Sequence, residues 1–213
     1  MTADVDARKA TIERKTKETE ITVTLDLDGT GQADIQTGIG FLDHLLDALA
    51  RHGRFDIQLR CKGDLHIDDH HTAEDCGLAL GAVIREALGD RVGIARFGSA
   101  YAPLDDGLAR AVVDISGRPF AAIDLGLTRE RLGELSCENI PHVLSSLATA
   151  AELTLHVDVL KGDNDHHRAE AAFKAFALAL RAAVRPSGFD DVPSTKGTIG
   201  VAYDLRSGEG AAS

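Results

Sequence analysis

The sequence predicts a mixed fold of strands and helices built as two similar halves. Two observations carry this. The order strand–strand–strand–helix–strand–helix can be read twice, near residues 10–90 and again near 98–186. The string HHTAE at 70–74 also returns as HHRAE at 166–170. Two copies are too few for a solenoid, so they point to pseudo-twofold halves packed on one another, residues 1–93 and 94–213.

Each element has a local reason. ATIERKTKE, ITVTLDLDG and GQADIQT alternate apolar and polar residues, the period of a half-buried strand. DGTG between the second and third is a hairpin signal. The period then changes: Phe41, Leu42, Leu45, Leu46 and Leu49 follow helical spacing, with Gly53 where a C-cap glycine is expected. FDIQLRC is the next strand. A second helix runs from 69 to about 88, with Leu78, Leu80, Val83 and Ile84 among its apolar positions and Gly89 beyond its end. In the second copy YAPL, LARAVVDIS and RPFAAIDLG are strands, 140–151 a helix and LTLHVDVL a strand. A long helix over 164–184 stops near Pro186, which cannot continue it.

Composition narrows the function. A chain of 213 residues holds one or two domains with a real core. It has no Trp and a net charge of −11, so neither base stacking nor an electrostatic footprint for nucleic acid or anionic membrane is expected. A negative field favours multivalent cations, and an anionic substrate would need its own Arg/Lys cluster. The N-terminus lacks the apolar segment of a signal peptide, and no apolar run approaches the ~20 residues of a membrane span. Cys61, Cys76 and Cys137 are odd in number and lack CxxC spacing, which reads as reduced thiols of a cytoplasmic protein.

The repeat carries chemistry as well as core. His70, His71 and Glu74 match His166, His167 and Glu170 at an offset of 96, and His44 in FLDHLL matches His142 in IPHVLSSL at 98. On a helix, positions i and i+4 share a face, so His70 with Glu74, or His166 with Glu170, can grip one cation. The neighbouring His71 and His167 are rotated by about 100°, so one helix does not easily aim both histidines at one ion. An economical solution gives each metal a His–Glu pair from one helix, the second His of the opposite helix, and His44 or His142. Three imidazoles and a carboxylate suit a borderline divalent ion, and the open positions left over mark a catalytic site. This reasoning leaves open whether both copies belong to one chain. A lone His is more often a core or surface residue than a ligand; duplication in matching contexts reverses that. His66 and His156 lack such support and read as strand-end or loop residues, while Asp68 and Asp69 read as a helix cap.

The stretches TGIGFLDHLL (37–46), GDLHIDDHHTAEDCGLALG (63–81), GDNDHHRAEAAFKAFALALR (162–181) and PSTKG (193–197) resemble the imidazoleglycerol-phosphate dehydratase family, over residues 10–205. The tail RSGEGAAS is outside the match. The resemblance implies a lyase of histidine biosynthesis with an α+β fold, in which four-stranded sheets flank a layer of helices. It implies two Mn2+ per subunit, one held by His44, His71, His166 and Glu170, the other by His70, Glu74, His142 and His167. It also implies a homo-oligomer of 24 subunits built from trimers, with metal sites at subunit contacts. Glu18 corresponds to a substrate-contacting glutamate and is assigned proton transfer; His52 corresponds to the edge of a substrate-contacting segment. Arg96, Arg118, Lys174, Ser194, Lys196, Gly197 and Thr198 correspond to phosphate and substrate contacts, which makes the C-terminal loop substrate-binding.

The implied reaction removes water from imidazole glycerol phosphate. The departing proton sits on a carbon with no carbonyl beside it, so direct removal is slow. An imidazolate held between two metal ions can expel the hydroxyl next to the ring, after which the neighbouring C–H is acidic. Two rivals remain: a two-metal phosphoesterase, which would lean on bridging carboxylates, and a metal-buffering shell protein, which would leave the basic residues unexplained. Asp105 and Asp106 lie where they could approach substrate and are given no role.

Overall fold

The computed structural model describes residues 8–199; the RSGEGAAS tail lies outside them. Strands β1 (Lys9–Lys15), β2 (Thr19–Asp26), β3 (Ala33–Gln36) and β4 (Asp56–Gly63) accompany helices α1 (Gly40–Gly53) and α2 (His70–Leu88). The second half has β5 (Phe97–Leu104), β6 (Gly107–Asp114), β7 (Phe120–Asp124), β8 (Arg131–Leu132), β9 (Leu135–Ser136), α3 (Asn139–Ala150), β10 (Thr154–Lys161) and α4 (Asp165–Val184). The two four-stranded sheets share one order, β1-β2-β4-β3 and β5-β6-β10-β7. Both therefore end in a parallel pair, β3 with β4 and β7 with β10, reached through a crossover helix. This is the expected α+β duplication.

Two local expectations are corrected and one element is added. DGTG does not close a hairpin, because β4 occupies the edge of β2 over eight residues and leaves β3 the far side of the sheet. The loop is instead folded around Asp56, whose Oδ1 accepts the N–H groups of Thr30 (2.8 Å), Gly31 (2.9 Å) and Gln32 (2.8 Å). These bonds, that from Gln32 first, hold the Asp56 carboxyl below the usual range. Gly53 is the last helical residue, and Arg54 takes the left-handed conformation at φ 61°. The glycine answers to packing, since a Cβ there would lie 2.4 Å from the Phe55 ring. The β8–β9 hairpin had no periodic signal; it lies in the long connection 125–138, where the first half needs only residues 37–39.

One apolar core runs through both halves, with Phe173 and Phe176 its largest fully buried side chains. The helices form a layer between the sheets and pair across the halves, α1 against α4 and α2 against α3. The second pairing depends on glycine. A Cβ on Gly77 would sit 2.7 Å from the Val143 carbonyl oxygen, and one on Gly81 2.3 Å from that of Leu147. Cys76 and Cys137 are buried, Cys61 is partly so, and all three are free. Among the described residues no helix is long and apolar enough to cross a membrane.

Candidate active site

Cross-half pairing of the helices assembles the polar residues. Because α1 packs on α4, His44 meets the first two turns of the opposite half's helix. Its Nε2 lies 2.9 Å from Glu170 Oε2, and His166 Nε2 lies 3.2 Å from the same oxygen. The Phe41 ring packs beside both imidazoles, 5.9 and 5.0 Å between centroids. One turn further along, Lys174 Nζ reaches the other Glu170 oxygen at 2.8 Å. Burial opposes charge on Glu170, but Lys174 and His44 outweigh it and hold the carboxyl ionised, at about 2.

The α2–α3 pair builds the counterpart. His142 Nε2 lies 3.1 Å from Glu74 Oε1, and His70 Nε2 lies 4.0 Å from Glu74 Oε2. The His70 and His142 rings stack with centroids 5.0 Å apart and planes 21° from parallel. In each group the ligand atoms all lie within 4.8 Å of one another. Two imidazoles and a carboxylate converging at this range fit a borderline divalent cation. Each group takes donors from both halves of the chain.

His71 and His167, expected as the remaining ligands, stand outside both groups. The His71 ring is 6.1 Å from His70, beside the group opposite to the one the resemblance assigns it. Likewise the His167 ring is 6.0 Å from His166. His71 Nδ1 meets Asp64 Oδ2 at 3.0 Å and its Nε2 faces Glu18 Oε1 at 3.7 Å. His167 Nδ1 meets Asp106 Oδ1 at 2.5 Å and its Nε2 faces Asp105 Oδ2 at 3.5 Å. Glu18 and Asp105 occupy corresponding turns, β1–β2 and β5–β6.

The two aspartates just before the histidine pairs also correspond. Asp69 receives the Ser136 N–H (2.6 Å) and hydroxyl (2.8 Å), and Asp165 receives the N–H groups of Thr128 (2.8 Å) and Arg129 (2.7 Å). Both carboxylates thus strap connection 125–138 to the starts of α2 and α4. Asp69 is therefore no side-chain cap; Asp68 takes that role, accepting the His70 N–H at 2.9 Å.

The remaining expected residues divide into three places. His52, in the last turn of α1, lies close to Lys174 and Glu170, and burial followed by Lys174 lowers its pKa. Arg96 is held by Asp114 at 2.7 and 3.2 Å and donates to the Pro193 carbonyl at 2.7 Å. It so fixes the loop of Ser194, Lys196, Gly197 and Thr198, which turns on the Gly197 N–H to Ser194 carbonyl bond (2.9 Å). Arg118 is exposed in the β6–β7 turn. Among the described residues no hydrogen bond or ion pair joins Arg118, Ser194, Lys196 or Thr198 to either histidine group. Of the two histidines read as non-ligands, His156 lies on the exposed side of β10 against Phe120 and His66 in the β4–α2 loop. Spacing alone did not single out Asp64 or Asn139, because their partners come from tertiary contact rather than helical period.

A sequence model of imidazoleglycerol-phosphate dehydratase matches residues 37–180. The imidazoleglycerol-phosphate dehydratase of Candida glabrata is 56% identical over 208 residues, spanning 89% of this chain and 99% of that protein. The chain belongs to the imidazoleglycerol-phosphate dehydratase family. It is thus an enzyme of a hydro-lyase family. The Phytophthora nicotianae member is 62% identical across 90% of this chain, which spans 42% of that longer protein. Crystal structures of the Staphylococcus aureus dehydratase (TM-score 0.75, 33% identity, 84% of this chain and 99% of that one) and of Pyrococcus furiosus IGPD in complex with (S)-C348 (TM-score 0.77, 36% identity, 88% and 100%) share the fold of this family member.

Proposed function

We propose that the chain dehydrates imidazole glycerol phosphate to imidazole acetol phosphate in a metal-dependent reaction, with two manganese ions per subunit. The observation that carries this is the pair of groups, His44/His166/Glu170 and His70/Glu74/His142, each imidazole-rich and each joining both halves. Each wants one more imidazole. His71 is the donor for the first group and His167 for the second, yet in each chain both lie beside the other group. The reading that reconciles this has neighbouring copies exchange them, in a homo-oligomer of 24 subunits built from trimers. Manganese bound in these groups would act as a Lewis acid on the azole and lower the pKa of its ring N–H.

The chain's own residues do the rest. Glu18 moves the proton of the substrate carbon, from a turn that faces His71. Lys174 keeps Glu170 ionised as a ligand, and His52 lies beside it. Lys196, Ser194, Gly197 and Thr198 bind phosphate from a loop that Arg96 holds in place, together with Arg118. The enzyme works in the cytoplasm without nucleic acid or membrane partners.

The test is to incubate manganese-loaded protein with imidazole glycerol phosphate and follow the enolisable ketone. Ketone formation that chelation abolishes is expected. Turnover of a generic phosphoester without ketone would replace this reading with the hydrolase.

A further inference from the structure

An imidazole has two ring nitrogens, and the contact made by one fixes how the other is presented. Three of the four histidines that begin α2 and α4 have Nδ1 held by an oxygen from outside their own helix. His70 is held by Asn139 Oδ1 at 3.0 Å, His71 by Asp64 Oδ2 at 3.0 Å and His167 by Asp106 Oδ1 at 2.5 Å. A carboxylate or amide oxygen only accepts. Each ring therefore donates from Nδ1, and in its neutral form keeps the lone pair on Nε2, the form a metal ligand needs.

The type of acceptor follows the position of the ring. His70, inside a same-chain group, is held by a neutral amide that is itself buried. His71 and His167, outside both groups, are held by carboxylates. Neither ring shares a carboxylate ligand with a second imidazole, and the Nδ1 bond is the shortest polar contact each makes, with Glu18 and Asp105 standing further off at 3.7 and 3.5 Å. We propose that Asp64 and Asp106 are positioning residues that hold His71 and His167 with Nε2 ready for an ion before a second copy of the chain arrives. This rests on the reading that these two histidines complete groups in neighbouring copies. A second observation supports it at Asp64. Its Oδ1 is buried and has no hydrogen-bond partner among the described residues, an arrangement that works against stability. Among the described residues the carboxylate makes its one side-chain hydrogen bond through Oδ2, to His71. Asp106 has a second duty, since it also accepts the N–H groups of Asp163 (2.6 Å) and Asn164 (3.1 Å).

The experiment titrates manganese into metal-free full-length protein and measures stoichiometry and affinity by equilibrium dialysis. Asp64→Ala should weaken one of the two ions about 10–100-fold and leave the other unchanged. Asp64→Asn should recover most of that loss, because an amide oxygen can accept from Nδ1, as Asn139 does for His70. A loss of fold would weaken both ions and would not be restored in this way. Asp106→Ala provides the independent measurement at the other ion. His71→Ala separates the two layers of the argument. If it leaves both ions at wild-type affinity, the ligand reading itself fails. If it strips one ion while Asp64→Ala and Asp106→Ala both bind as wild type, the positioning role alone is overturned.

Discussion

Glu170 receives three partners on two oxygens: His44 and His166 share one, and Lys174 takes the other. Removing its charge should dismantle the first group while leaving the second intact. Glu170→Gln is expected to lower bound manganese by about one ion per chain and to abolish dehydration, measured by metal analysis beside the ketone assay. Glu18→Gln should behave oppositely, keeping both ions and losing turnover by about 10²–10⁴-fold if the residue transfers the proton; undiminished turnover would remove it from the mechanism. The side chains that converge were legible in the sequence because each was written twice, in matching contexts. Asn139, which holds His70 from 69 residues away, was not. A single hydrogen bond between distant segments leaves no periodic trace.

Among the elements, the α2–α3 pair is the most sensitive to small changes, because backbone of one helix meets glycine of the other. A methyl group at Gly81 would press on the Leu147 carbonyl oxygen at 2.3 Å and must push the helices apart. His142 would then move away from His70 and Glu74, which sit on the other side of the same seam. Gly81→Ala is expected to destabilise the fold by about 1–3 kcal/mol. It should also weaken the second ion more than the first, read from a thermal melt and a manganese titration of one sample. Most elements were legible because the switch between periods of 2 and 3.6 marks them clearly. The DGTG turn misled because a turn signal reports a reversal, whereas strand pairing is decided by which edge is free, and β4 had taken it. The β8–β9 hairpin has two residues per strand, too few to show any alternation.

For the whole molecule, the proposed exchange of His71 and His167 between copies would make metal part of the assembly. Chelation should therefore shift the sedimentation profile from a large particle toward smaller species, and manganese should restore it; one unchanged particle in both conditions would reject the exchange. Inside one chain the dependence runs the other way. Each group draws donors from both halves, so neither half owns a centre. Cut apart, the halves would have to meet by diffusion before either donor group could form. The short link between α2 and β5 replaces that encounter with a permanent local concentration on the order of millimolar, so the three same-chain donors of each group stay together however dilute the protein becomes.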